Sequence, residues 1–144
     1  DITLTTDIIV GFPGETTQEF EDTLDVLKQV RYDTIFSFIY SRRPGTAAAK
    51  MPDVIDDAEK KANFNRMLAI QDEISKEKNL ALEGKVMKVL VEGKSKNNDE
   101  FLAGKTEGGK TVNFKAPDSL IGQFADVKIT EAKTWSLTGK LKSQ

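Results

Sequence analysis

The chemistry open to this chain is narrow, because its 144 residues include no His and no Cys. That removes an imidazole base, a Ser-His-Asp triad, a thiol nucleophile and any His- or thiolate-bound metal within these residues. Carboxylates, lysines, arginines, hydroxyls and backbone amides remain, and four groupings of them stand out. Gly11-Phe12-Pro13-Gly14-Glu15-Thr16 follows an apolar run and precedes a helical pattern. A strand-to-helix turn is where parallel α/β sheets take ligands, and its amides and positive helix end suit an anion. The same residues also read as a tight turn that needs two glycines for its geometry. Their spacing matches neither the Gly-x-x-x-x-Gly-Lys-Ser/Thr phosphate loop nor Gly-x-Gly-x-x-Gly. Asp7, four residues before Gly11, either accepts hydrogen bonds from a ribose or ammonium at the strand's carboxyl end or caps a neighbouring turn. Arg42 and Arg43, in a Pro-Gly loop, offer bidentate forks for phosphate or carboxylate, or else a solvated surface. Finally, eleven lysines in residues 84–144, with Phe101, Phe114, Phe124 and Trp135, suit nucleic acid through phosphate attraction and base stacking. The competing reading puts the aromatics in a core and leaves the lysines for solubility.

The elements that must position these groups fall into two patterns. Ile8-Ile9-Val10, bounded by Gly11, predicts a buried parallel strand. Thr16 and Glu19 predict a capping box opening a helix over 17–30, with Phe20, Leu24 and Leu27 at i, i+4 and i+7 on one stripe. A second, aromatic and β-branched strand is expected over 34–40, followed by the Ser41–Thr46 loop, giving a βαβ unit. Two parallel strands are few for a stable sheet, so residues 1–55 read as a fragment of a larger barrel or doubly wound sheet. A long helix is expected over 56–82, with a sparse apolar face of Phe64, Met67, Leu68, Gln71 and Ile74. After Gly84 the period changes to two. Strands are expected from Val86, over 101–106, 110–115, 124–130 and 135–141, with Gly108-Gly109 as a hairpin turn. Five short strands at this spacing, in 83–144, predict a small antiparallel OB-like barrel.

Charge divides along the same line. Residues 1–83 hold 10 Lys and Arg against 16 Asp and Glu, a balance of −6, whereas residues 84–144 hold 11 Lys against 7 Asp and Glu, a balance of +4. An acidic first part and a basic second part imply different partners. No run approaches the ~20 apolar residues of a membrane helix, and no secretory leader pattern opens the chain. A cytoplasmic location without membrane contact is the expectation.

Two blocks carry a family resemblance. Thr5-Thr6-Asp7-Ile8-Ile9-Val10-Gly11-Phe12-Pro13-Gly14-Glu15-Thr16, followed by Phe38-Ile39-Tyr40-Ser41-Arg42-Arg43-Pro44-Gly45-Thr46-Ala47-Ala48, resembles the methylthiotransferases of the radical S-adenosylmethionine superfamily. Leu120-Ile121-Gly122, Val127-Lys128-Ile129-Thr130-Glu131-Ala132 and Trp135-Ser136-Leu137-Thr138-Gly139 resemble the TRAM domain of those enzymes. The loop form Tyr-Ser-x-Arg-Pro-Gly-Thr is most similar to the branch acting on N6-dimethylallyladenosine in tRNA. The threonylcarbamoyladenosine branch is the nearest relative, and the ribosomal-protein branch departs in this loop. The resemblance implies an α/β fragment from the end of a partial TIM barrel, a connecting helix and a TRAM barrel. It implies addition of a methylthio group to carbon 2 of a prenylated adenosine beside the anticodon, with S-adenosylmethionine and [4Fe–4S] clusters as cofactors. The cluster cysteines are absent here, so the resemblance also implies a missing N-terminal part as partner and an inactive fragment. By the same likeness Asp7 meets the ribose or methionine part of S-adenosylmethionine, Ile9 packs on adenine, Gly11 belongs to the same strand end, and Phe38 with Ser41 closes the other side. Arg42, Arg43, Lys85, Lys88, Lys105 and Lys110 are the implied contacts to a tRNA anticodon stem-loop. A stand-alone RNA-binding module is the alternative.

Overall fold

The computed structural model describes residues 2–142. They form two compact units, one spanning Leu4–Ile74 and the other comprising the described residues before Leu4 and from Ser75 onward.

The first unit is built on β1 (Thr5–Val10) and β2 (Thr34–Ile39), paired in parallel with Asp7 opposite Phe36 and Ile9 opposite Phe38. Between them runs α1 (Thr17–Val30), opened by the full capping box: Thr16 Oγ1 accepts from the Glu19 amide at 3.2 Å, and Glu19 Oε2 accepts from the Thr16 amide at 2.8 Å. Phe20, Leu24 and Leu27 are buried with Val10 and with Met67 from α2 (Asp57–Leu80). Fully burying side chains of this size contributes about 1.5–3 kcal/mol each. All five form one core cluster, against which Ile8 of β1 and Ile35 of β2 also pack. The helices cover one face of the sheet, and the unit's only other regular element is a 3-10 turn at Ala48–Lys50.

The link from β2 into α2 is organised by charge. Lys60 is buried on α2 and reaches Asp53 at 2.9 Å, while Arg42 pairs with the same carboxylate at 3.1 Å. Arg42 also donates to the backbone carbonyls of Ala49 and Met51 at 2.8 and 3.0 Å. The Lys60 stem lies against Gly11: a Cβ there would sit 2.8 Å from Lys60 Cδ, and the Gly11 φ of 76° already favours glycine. Hydrogen bonding from Lys60, then from Arg42, holds the Asp53 carboxyl below its ordinary value of 3.8.

The second unit is a closed barrel of β3 (Val86–Lys94), β4 (Phe101–Thr106), β5 (Thr111–Lys115), β6 (Phe124–Ala132) and β7 (Leu137–Leu141), in ring order β3-β4-β5-β7-β6. Alternate residues point inward, and Val89, Val91, Leu102, Val112, Phe114, Val127, Ile129 and Leu137 fill the core. The barrel is mixed, which corrects the antiparallel expectation: β5 and β7 run parallel, with Val112 opposite Leu137. Parity gives the reason. A ring of five strands cannot reverse direction at every step, so closure forces one parallel pair. The chain leaves β5 through a 3-10 turn at Asp118–Leu120, pairs β6 with β3, and returns β7 into the remaining gap. A second correction concerns Trp135. It lies outside β7, in a turn where the Lys133 amide bonds the Ser136 carbonyl at 2.8 Å.

Gly104 and Gly139 sit where barrel strands approach too closely for a side chain, a Cβ on Gly139 lying 2.6 Å from the Lys128 carbonyl oxygen. A Cβ on Gly104 would lie 2.3 Å from the Leu90 carbonyl oxygen, whereas one on Gly93 would meet nothing within 4 Å. Gly104→Ala is therefore expected to destabilise the barrel by about 1–3 kcal/mol and Gly93→Ala by no more than about 0.5 kcal/mol, read from urea melts; equal effects would contradict the packing. For Asp53, a depressed folded-state pKa means that its stabilisation is present above the ordinary carboxylate value and is lost as pH falls through the lowered one. The stability gap between wild type and Asp53→Asn is expected at pH 7 and to shrink below pH 3.8, whereas a gap independent of pH would exclude the ion pair as its origin.

Candidate functional site

Each unit brings together one group of the residues singled out from the sequence. In the first, the carboxyl ends of the two parallel strands stop side by side, with Gly11 after β1 and Ser41 shortly after β2. Phe12 and Tyr40 meet edge to face there, centroids 5.1 Å apart. The sheet face away from the helices is bare: Ile9, Phe36 and Phe38 are 52%, 57% and 60% exposed. Asp7 is exposed on the same face, two residues before Ile9. The register thus gathers Asp7, Ile9 and Phe38, with Gly11 and Ser41 at the strand ends. An apolar strip with one carboxylate beside it suits a flat, partly apolar ligand bearing hydroxyl or ammonium groups.

The turn after β1 is less suited to an anion than its spacing implied. The Gly11 amide is taken by Glu15 Oε1 at 3.0 Å, the Glu15 amide by the Phe12 carbonyl, and the Thr16 and Glu19 amides by the capping box. Two carboxylates occupy the place of an anion, and the glycines serve the turn. Arg42 is likewise engaged, by Asp53 and by loop carbonyls, whereas Arg43 is exposed in the same loop.

In the second unit the sequence-derived lysines separate. Lys105 lines a groove of about 480 Å³ on the barrel, with its amine on Thr111 Oγ1 at 2.5 Å. Lys85 is exposed ahead of β3. Lys88 lies over the Phe124 ring at 5.8 Å on the β3–β6 surface. Lys110 is held by Asn79, its amine 2.7 Å from Oδ1. Of the four aromatics, Phe114 is core, Phe101 is half-buried, and Phe124 and Trp135 are 67% and 76% exposed. Sequence reasoning singled out Trp135 and Lys105 but did not join them, and it passed over Lys94 and Lys96, which share the groove. Alternation marked their strand but not the bulge between Val91 and Gly93 at which the groove opens.

Comparison with known proteins covers both units. Residues 80–142 match the family model described as TRAM domain. Over 141 residues, 98% of this chain, the sequence is 55% identical to the tRNA-2-methylthio-N(6)-dimethylallyladenosine synthase of Acetivibrio thermocellus, covering 29% of that protein. It is 50% identical to the synthase of the same name from Thermoanaerobacter sp. (strain X514), covering 30%, and 54% identical to that of Bacillus cytotoxicus, covering 28%. The chain thus spans less than a third of the length of these relatives. At 50–55% identity over nearly its whole length, the chain is similar to the C-terminal part of tRNA-2-methylthio-N(6)-dimethylallyladenosine synthases, and its residues 80–142 are a TRAM domain.

Proposed function

We propose that the chain serves as the C-terminal part of an enzyme that adds a methylthio group to carbon 2 of N6-dimethylallyladenosine beside the tRNA anticodon, in the cytoplasm. Identity of 55% that runs through both units in one alignment carries this reading. Residues 1–55 form the end of a radical S-adenosylmethionine barrel, 56–82 the connecting helix and 83–144 the TRAM domain. Two strands with a bare apolar face and open outer edges are what the end of such a barrel leaves when considered alone.

The cofactors divide by fit. A [4Fe–4S] cluster needs thiolates, and this chain has no cysteine, so its ligands belong to other parts of the enzyme. S-adenosylmethionine fits the bare face of β1 and β2: Ile9 and Phe38, register partners, offer apolar cover for adenine, and Asp7 offers a carboxylate to the ribose or the ammonium. Gly11 and Ser41 complete the strand ends. When bound, this cofactor supplies the radical chemistry of the superfamily. The residues here bind and orient it.

The TRAM barrel holds the tRNA anticodon stem-loop. Lys85, Lys88 and Lys105 present amines along its surface, and Arg43 adds a cation in the first unit. Lys110 and Arg42, already bonded within their own units, act through structure: Lys110 steadies Asn79, and Arg42 steadies the loop that ends in Asp53.

Asp7 gives the direct test. In the full-length enzyme with its clusters assembled, Asp7→Ala is expected to lower S-adenosylmethionine cleavage about a hundredfold, equivalent to ~2.7 kcal/mol. Cluster absorbance and melting temperature stay unchanged. Wild-type cleavage by the variant would overturn the assignment of the β1–β2 face.

A further inference from the structure

The barrel groove has a construction that general phosphate attraction does not require. Trp135 stands at its edge and is 76% exposed, an unusual cost for the largest apolar side chain. Its turn is nonetheless held firmly. Asn79, buried at the end of α2, donates through Nδ2 to the carbonyls of Lys133 and Thr134 at 2.8 and 3.1 Å, and the Lys133 amide closes the turn on Ser136. The floor beside it is flat. Gly93, Ala103 and Asn113 lie in one register row across β3, β4 and β5, so no large side chain rises between them. The Ser95 hydroxyl, buried, donates to Asn113 Oδ1 at 3.0 Å, which leaves the Asn113 Nδ2 as a donor in the groove lining. Lys94, Lys96 and Lys105 rim the groove against one carboxylate, Glu92, and Lys94 is shared with Asp118 at 3.5 Å.

We infer that this groove captures one unpaired nucleobase of the bound RNA, stacked on Trp135 above the Gly93–Ala103 floor, with flanking phosphates met by Lys96 and Lys105. The inference rests on the RNA reading of the barrel and adds a specific demand to it. A base can enter only where the RNA is single-stranded, because the π-face that Trp135 needs is hidden inside a duplex. Asn113 then gives hydrogen-bond preference for a base edge that carries an acceptor.

Trp135 is the sole tryptophan of the chain, so its emission reports the site directly. The full 144-residue chain is titrated with single-stranded hexamers of uridine and of adenosine and with a 12-base-pair RNA duplex, while fluorescein-labelled RNA reports affinity by anisotropy. The hexamers are expected to quench Trp135 saturably and the duplex to leave it bright. Trp135→Ala is expected to weaken hexamer binding about tenfold or more, and Trp135→Phe to retain it within about threefold, in line with base–aromatic stacking. Melting temperature stays unchanged in both variants, since the side chain is exposed. Equal hexamer affinity for wild type and Trp135→Ala, with binding that still weakens in salt, overturns the nucleobase site and leaves the RNA reading intact. Quenching by duplex alone does the same. Binding of neither RNA by wild type overturns both.

Discussion

Ring closure with an odd number of strands is the constraint on which the barrel depends. Five strands forbid full alternation, so one pair must run parallel, and the pair that does is β5 with β7. That single pairing decides the chain path. β5 cannot hairpin into its parallel neighbour β7, so residues 116–123 cross to the far side and start β6 against β3. β7 then returns through a turn at residues 133–136, and this turn carries Trp135. Two bulges, between Val91 and Gly93 and between Ile129 and Glu131, supply the extra twist that a small ring needs. The first of them also opens the groove.

The α/β unit obeys a different constraint. Parallel strands are expected to be covered on both faces, and here helices cover one while Ile9, Phe36 and Phe38 remain exposed on the other. Its connecting loop is fixed by Asp53, which gathers Lys60 and Arg42 at about 3 Å each. Lys60 does two tasks, since its stem closes on Gly11 while its amine pairs with Asp53. The strand end and the loop after β2 are thereby held to the same helix residue.

Local signals were legible in the sequence and long-range ones were not. Thr16 and Glu19 predict a capping box three residues apart, and it forms. Phe20, Leu24 and Leu27 predict the buried stripe of α1, and all three are buried. Gly108-Gly109 predicts the β4–β5 turn, where the Gly109 amide bonds the Thr106 carbonyl at 2.9 Å. The β5–β7 pairing joins strands separated by an entire third strand, so no period or turn residue announces it. Lys60 reads as part of a charged helix face, and only the fold brings Asp53 and Gly11 to it. Arg42 and Arg43 look equivalent in the chain, yet one is bonded within its loop and the other is exposed. The exposure of Ile9 and Phe38 on one side of the parallel sheet was not legible locally, because it contradicts what their apolar character alone predicts.

Nucleoside mass spectrometry of tRNA from cells lacking the gene for the full-length protein tests the central claim most directly. The account predicts that the 2-methylthio derivative of N6-dimethylallyladenosine disappears, that N6-dimethylallyladenosine accumulates in its place, and that the restored gene reverses both. Persistence of the methylthio derivative in the deleted strain, or loss of the threonylcarbamoyladenosine counterpart instead, would contradict it.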